Sequence, residues 1–332
     1  MSLDTFTVAR TALRNGGTDP LELNIEDYYG AVMGTLERRS VFKPVVPFTP
    51  VKGTSILRVE GIGGTSLQKI TPGVTPNGTG VEFGKTNLVV DTPLLARVAL
   101  PMLDVFQQSY DKRVEIGNEH GKTIAKFVDQ TLAIAGLKAA LSTTSAFFNA
   151  ANELDGHSGG TQYTMAAAGD INDPAKLDDS INELLSAIEE NKDVDVLNDG
   201  GVLYVRPALY YRLLKSERLI STEYVTAEGN KIATRALASH GVPVMASRNF
   251  PAGQTIAGHL LSNAGNANFF DGNFTKVVAL FMARDAIVAG ETIAFTPRVF
   301  WDELSKSWYV DVHGAFSAAR KRVENAGVIL IP

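Results

Sequence analysis

The chain has 332 residues, 45% of them hydrophobic and 20% charged, with a formal net charge of −5 and no cysteine. That length can bury a substantial core and is long enough for two domains. The acidic balance argues against a general nucleic-acid binder, which needs a basic surface for its phosphate contacts, and the absence of cysteine removes disulfides, thiolate catalysis and Cys-based zinc sites.

The opening MSLDTFTVARTALRNGG has no long apolar run, so no secretory signal is expected. No uncharged apolar run approaches the roughly 18 residues of a membrane span. VARTALRN reads as a short helix and IEDYYGAVMGTLERRSVF has an amphipathic helical period. The three prolines of PVVPFTPV then force an extended path, because proline cannot donate and biases its predecessor away from α. Residues 1–50 therefore read as an arm running over something else.

TSILRVE (54–60) is expected to be a strand, and VEFGKTNLVV the strand that returns. Between them, GIGGTSLQKITPGVTPNGTG carries glycines at 61, 63, 64, 73, 78 and 80 and two prolines. A long Gly/Pro-rich excursion between two strands is a large, flexible hairpin. It has too little apolar content for a core of its own, so it must move in solvent or lie on a neighbour. LLARVAL follows as a further extended segment. Residues 102–141 then form the strongest helical pattern, with Leu103, Phe106, Tyr110, Val114, Gly117, Gly121, Ile124, Val128 and Leu132 on one stripe. At 1.5 Å per residue such a helix spans roughly 60 Å. Gly117 and Gly121 fall on its apolar seam, where small residues let another backbone come close.

From about residue 170 the texture changes. DPAKLDDSINELLSAIEEN is a helix with Asp173 as cap, Pro174 in the first turn, and Leu177, Ile181, Leu184, Leu185 and Ile188 on one face. Its acidic pair Asp178–Asp179 is expected on the solvated face. GVLYVRP reads as a buried strand, ALYYRLLKSER as an amphipathic helix and STEYVTAEGNK as a polar loop. GVPVMASRN, KVVALFMARDAIVAG and the aromatic-rich end give further strands, closing on an apolar segment. The class is α+β or α/β.

Two stretches, GVEFGKT (80–86) and GNEHGKT (117–123), end like a phosphate-binding loop. That loop needs four residues before its Gly-Lys pair; here three separate Gly80 from Gly84 and Gly117 from Gly121. The first GKT lies in a strand with no helix N-terminus after it, and the second lies inside a helix whose amides are already bonded. Nucleotide binding is not expected. GHSGG (156–160) matches the Gly-x-Ser-x-Gly nucleophile elbow and makes Ser158 the candidate of a serine hydrolase. The elbow needs a strand before it and a helix after it; STTSAFFNAANELD and TQYTMAAAGDIND supply neither, and a flexible connector fits better. The five histidines show no i, i+4 pairing, so no metal or other cofactor is expected. An arm, a coreless hairpin and an unusually long helix cannot be stable alone, and their partners are expected to be further copies of the same chain.

The order of elements resembles the major capsid protein of tailed bacteriophages, the Hong Kong 97-type fold, and most nearly its short-tailed branch. The resemblance rests on Tyr110-Asp111-x-Arg113-x-Glu115 followed by Gly121, Ala125 and Asp129, and on VLYVRPALYYRLL. It rests also on Gly241-Val-Pro-Val-Met-Ala-Ser247 with Asn249-Phe-Pro251, on LFMARDAIV, and on Arg322-Val-Glu324-Asn325-Ala-Gly327 near the end. It covers nearly the whole chain from about residue 25. It implies an α+β fold with an N-terminal arm (1–50), an E-loop hairpin (51–95), and a peripheral (P) domain holding a long spine helix and connector (96–165). An axial (A) domain of mixed sheet and helices (166–290) and P-domain return strands (291–332) complete it.

The implied function is a non-enzymatic virion protein, assembled in the host cytoplasm as hexamers and pentamers of an icosahedral shell around double-stranded DNA, held without sequence-specific contacts. Arg58, Gly61, Gly63, Gly64, Lys69 and Lys85 would act between subunits in the E-loop, with the glycines giving hinge freedom during shell expansion. Tyr110, Arg113, Glu115, Gly117 and Gly121 would form the spine. The loop around Glu223, Tyr224, Glu228 and Lys231 would meet its copies at the local axes. A separate scaffolding protein, a portal and decoration proteins are the implied partners, with no membrane. Some relatives cross-link an E-loop lysine to an asparagine; Lys69 and Lys85 lie in this E-loop, but no matching acid and asparagine stand out. The same architecture also serves encapsulin-type compartments that enclose enzymes, the alternative within the fold.

Overall fold

A computed structural model describes residues 20–46, 48–65, 67–70, 72–73, 78, 80–102, 113–149, 152–192, 194–215 and 237–332. Tyr110, the VARTALRN segment and the loop of Glu223, Tyr224, Glu228 and Lys231 lie outside the described residues, as does the side chain of Arg113. The chain divides into two units: residues up to 39 with 93–125 and 293–314, and residues 40–92 with 126–292 and 315–332.

In the first unit, helix α1 (Pro20–Arg39) packs on the first part of the long helix α2 (Arg113–Ala140). Tyr28, Val32 and Leu36, on one face of α1, are buried. The two glycines on the expected seam explain the close approach. A Cβ on Gly117 would stand 2.9 Å from the Tyr28 ring and 3.2 Å from Ala31 Cβ; one on Gly121 would stand 2.8 Å from both Thr35 Cβ and the Val32 carbonyl oxygen. Two side-chain bonds fix the register of the pair. The Tyr28 hydroxyl lies 2.8 Å from Nδ1 of the buried His120, and Thr35 Oγ1 donates to Asn118 Oδ1 at 2.8 Å. Burial raises the Tyr28 phenol and lowers the His120 imidazole, so both are held neutral.

Strand β4 (Leu94–Pro101) belongs to the same unit and pairs antiparallel with residues 307–314, from Ser307↔Pro101 to Gly314↔Leu94. There Arg97 forms a 2.7 Å ion pair with the buried Asp311 and lies over the rings of Phe300 and Tyr309. Leu304, at the turn between residues 293–302 and 307–314, is fully exposed.

The second unit holds a six-stranded sheet. It is built from β7 (Thr161–Thr164), β8 (Val202–Val205), β9 (Leu237–Ser239), β10 (Val242–Ala246), β13 (Val277–Met282) and β16 (Ala326–Leu330), in the order β7-β16-β13-β8-β10-β9. Every residue of β8 and β13 is buried, as expected for central strands covered on both faces. The closing apolar segment is one of these central strands: β16 lies antiparallel to β13 and parallel to β7, whereas the sequence groups it with the return strands of 291–332. Its alternation-free apolar run suits a site buried on both faces.

Helix α3 (Pro174–Asn191) starts as expected, with Asp173 accepting from Ala175 N at 3.0 Å and proline in the first turn. It packs Leu177, Ile181, Leu184, Leu185 and Ile188 into the sheet's core, close enough that a Cβ on Gly327 would stand 2.8 Å from Ile188. Asp178 corrects the expectation of a solvated acidic face. It is buried, accepts from Ser239 Oγ at 3.2 Å and lies 3.4 Å from His240 Nε2, whereas Asp179 is exposed. Helix α4 (Pro207–Leu213) follows β8, and Tyr204 on that strand stacks on Phe42 at 4.0 Å.

The rest of α2, residues 126–140, is almost entirely buried in this unit. Asp129 is its polar centre: fully buried, its carboxylate accepts from Ser40 Oγ (2.6 Å), Val41 N (3.1 Å), Phe42 N (3.3 Å) and Asn249 Nδ2 (3.2 Å). One carboxylate thus ties the turn at 40–42 and the segment after β10 to the same helical position. Strand β1 (Phe48–Pro50) then pairs parallel with residues 289–291 of β14 (Ile287–Asp302), giving the proline-rich stretch its extended path.

His259 lies between the Phe127 and Phe270 rings, at 4.9 and 5.3 Å. Its Nδ1 accepts from Leu261 N at 3.3 Å. Thr131 Oγ1 donates to the Phe127 carbonyl, so the 3.4 Å contact from His259 Nε2 is one in which the ring donates. Both bonds suit the neutral ring, and burial lowers its pKa with Asp271 only partly opposing. A histidine held below its unfolded value stabilises the fold fully above about pH 6.5 and loses that contribution as pH falls through its folded pKa. The melting temperature is expected to drop between pH 7 and 5. His259→Gln is expected to melt lower at pH 8 and to show a smaller drop across that window, measured by circular dichroism.

Candidate assembly site: the hairpin and its root

Strands β2 (Ile56–Ile62) and β3 (Phe83–Val89) pair antiparallel in unbroken register from Ile56↔Val89 to Ile62↔Phe83. This is the expected hairpin, two residues further on than TSILRVE suggests at its start. Beyond Gly63–Glu82, its described residues are exposed: Leu67 by 103% and Ile70 by 71%, with Ile62 and Phe83 exposed below them. An isolated leucine on a surface is ordinary, but a projecting hairpin that presents four large apolar side chains is not.

The structure reveals what holds the hairpin's root. The segment after α2, ahead of the GHSGG stretch, forms two short strands, β5 (Phe148–Asn149) and β6 (Asn152–Glu153). These extend the hairpin into a four-stranded sheet of order β2-β3-β5-β6, with Lys85 opposite Phe148. Gly61 and Gly84 are flat places on which Phe147 rests: a Cβ on Gly61 would stand 2.7 Å from that ring, and one on Gly84 3.2 Å from Phe147 Cβ. Gly63 N donates to the Glu82 carbonyl and Gly64 N to the Asp155 carbonyl, each at 2.9 Å. Close approach therefore accounts for Gly61, while Gly73, at φ +87°, is the hairpin glycine in the left-handed region.

His157 completes the root. Its Nδ1 lies 2.8 Å from Glu324 Oε1 and its Nε2 3.1 Å from the Ile62 carbonyl oxygen. The ring thus links Glu324, near the end of the chain, to the last residue of β2. The ring packs edge-on against Phe147 at 5.0 Å. Phe147, His157 and Glu324 escaped the sequence reading as contacts of the hairpin, because they come from parts of the chain remote from it. The signal available was Glu324 in the terminal motif and a histidine inside GHSGG.

Of the expected hairpin residues, the structure brings Gly61, Gly63 and Gly64 together at this root. Arg58 and Lys85 lie on the hairpin's strands opposite Asn87 and Glu60, and all three of Arg58, Lys69 and Lys85 are exposed. Gly117 and Gly121 lie in the first unit against α1, and Glu115 is exposed at the start of α2.

Ser158 does not sit at an elbow. Turn residues and extended backbone precede it, β7 follows, and its Oγ accepts from Lys192 Nζ at 2.8 Å. The neighbouring glycines serve packing: a Cβ on Gly160 would stand 2.6 Å from the Ala140 carbonyl oxygen, and Gly160 N donates to Ser142 O at the end of α2. Ser158→Ala is expected to leave particle formation and melting temperature unchanged within about 1 °C, a loss of one surface bond. Among the described residues there is no group of three side chains able to hold a metal ion, and no helix is long and apolar enough to cross a membrane.

No protein-family model and no curated protein matches the chain. Solved structures do. The capsid of the cyanophage P-SCSP1u aligns with a TM-score of 0.69 at 15% identity, over 88% of this chain and 88% of that one. The mature capsid of bacteriophage PhiM1 aligns with a TM-score of 0.68 at 20% identity, over 88% of this chain and 87% of that one. A virus-like particle from Pyrococcus furiosus aligns with a TM-score of 0.54 at 14% identity, over 92% and 98%. The chain has the α+β Hong Kong 97-type fold, aligned over 87% or more of each of these chains.

Proposed function

We propose that the chain is the major capsid protein of a tailed bacteriophage. Copies assemble as hexamers and pentamers into a closed icosahedral shell around double-stranded DNA. The observation that carries this reading is the hairpin: an apolar, exposed projection, anchored at its root by Phe147 and His157, in a chain with the fold of capsid proteins. Laid on an adjacent copy, Leu67, Ile70, Ile62 and Phe83 would each recover about 1.5–3 kcal/mol of burial. Repeated around a closed shell, such contacts supply stability that one copy lacks.

In this reading the E-loop is the hairpin, the spine is α2, and the six-stranded sheet belongs to the A-domain whose loop at 219–232 meets its copies around the local axes. Scaffolding protein, portal and decoration proteins act in assembly, which takes place in the host cytoplasm. A second reading, a compartment shell enclosing protein cargo, draws on the likeness to the Pyrococcus particle.

Electron microscopy of the chain, expressed alone and with a scaffolding protein, tests the proposal. Closed shells or rings of five and six support it, and monomers under both conditions overturn it. Nuclease-protected DNA in particles from infected cells separates a genome shell from a cargo compartment.

A further inference from the structure

Within the unit of residues up to 39, 93–125 and 293–314, an open cleft of about 380 Å³ lies between α1 and α2. It is lined by Thr35, Arg38 and Arg39 from α1 and by Asn118 and Lys122 from α2. Its donors are Arg38, Arg39, Lys122 and the Asn118 amide. Thr35 Oγ1 gives its proton to Asn118 Oδ1, so the carboxamide has its acceptor occupied and its N–H₂ group left over. Arg38 donates one bond, Nε to the Gly34 carbonyl at 3.0 Å, which leaves the rest of its guanidinium facing outward. Among the described residues no carboxylate pairs with Arg38 or Arg39, whereas Lys122 is bonded to Glu119.

Arginines in the last turn of a helix complement its dipole, which accounts for Arg38 and Arg39 on α1. It does not account for a lysine and a free amide brought from a second helix to the same opening. Three of the five lining residues are cations and none is a carboxylate, in a chain whose net charge is −5, although Lys122 also bonds Glu119 outside the lining. A phosphate group, with oxygens pointing in several directions, accepts from several donors at once, and Arg, Lys and Asn are among the side chains that contact nucleic-acid backbones.

We propose that this cleft binds a backbone phosphate of double-stranded DNA. The DNA as source rests on the shell reading; inorganic phosphate has the same recognition chemistry, and the test separates the two. Binding of a fluorescent DNA duplex to the purified, unassembled chain is followed by anisotropy across a salt series. Losing one phosphate contact should reduce the slope of log K against log salt by about 0.9. R38Q/R39Q is therefore expected to lower the slope by about 0.9 and the affinity at low salt by about tenfold or more, and K122Q to lower both by less. R38K/R39K retains the charges and is expected to keep most of the slope. K52Q, which removes an exposed charge outside the cleft, should match the wild type. Melting curves confirm that the variants are folded.

A wild type that does not bind the duplex, or an R38Q/R39Q protein that binds it as K52Q does, overturns the proposal. So does inorganic phosphate that binds in the cleft, by calorimetry, while the duplex does not displace it, because the ligand is then free phosphate. Shell formation is scored separately by microscopy. Shells with an unchanged salt slope sink this site alone; a cleft-dependent slope without shells sinks the capsid reading and leaves the site.

Discussion

A chain in which residues 65–80 are replaced by a short Gly-Asn turn is expected to fold normally and to form no closed particles. The folding half of the expectation follows from where the excised segment sits. Its described residues are exposed and no core cluster includes them, so its removal uncovers no core. The ladder of β2 and β3 ends at Ile62↔Phe83, the Gly63–Glu82 bond follows it, and the root on Phe147 and His157 lies below the cut. Closing a shorter loop costs less entropy than closing the native one, by about 1 kcal/mol. The melting temperature should therefore stay within about 2 °C of the wild type.

The assembly half follows from Leu67 and Ile70, whose surface is left exposed by the described residues. Removing both from every copy takes about 3–6 kcal/mol of burial from each contact, enough to push the assembly threshold up by orders of magnitude in concentration. Leu67→Asp/Ile70→Asp should reproduce the defect without shortening the loop. Shells of normal size from either variant, seen by microscopy at the wild-type concentration, would remove the hairpin from the proposed mechanism.

The hairpin also shows what a sequence reveals and what it hides. Two alternating strands around a Gly/Pro-rich excursion are a local pattern, and the structure has both strands there. The long helix and its glycine seam were legible for the same reason: Gly117 and Gly121 are four residues apart on one helical face. Yet the partner they accommodate, Tyr28 to Thr35, follows from three-dimensional packing alone. Asp178 read as a solvated acid because its neighbours are polar, yet it is buried, facing Ser239 of β9 and His240 in the turn after it, both remote in sequence. The hairpin's root was illegible in the same way. Phe147, His157 and Glu324 are brought to Gly61 and Ile62 by strand pairing that no local period encodes, and Ser158 attracted attention that belonged to the histidine beside it.

Asp129→Ala is expected to be the most damaging single substitution away from the apolar core. Its carboxylate accepts four groups in a fully buried site: a hydroxyl, two main-chain amides and an asparagine amide. Alanine leaves the amides of Val41 and Phe42 with no acceptor, and an orphaned buried donor costs about 1–3 kcal/mol. The loss should reach about 3–5 kcal/mol, a fall in melting temperature on the order of 10 °C. Asp129→Asn keeps one carbonyl oxygen in place and should lose about half as much.

Ser40→Ala removes one donor while leaving the carboxylate bound to the amides, and should lose about 1–2 kcal/mol. If the carboxylate acts as a single hub, the Ser40→Ala and Asp129→Ala losses should be strongly sub-additive, because the serine has nothing left to bond once the acid is gone. Additive losses in chemical denaturation would mean that the two residues stabilise the fold through separate contacts. The turn at 40–42 would then owe its position to Phe42, stacked on Tyr204, rather than to the acid.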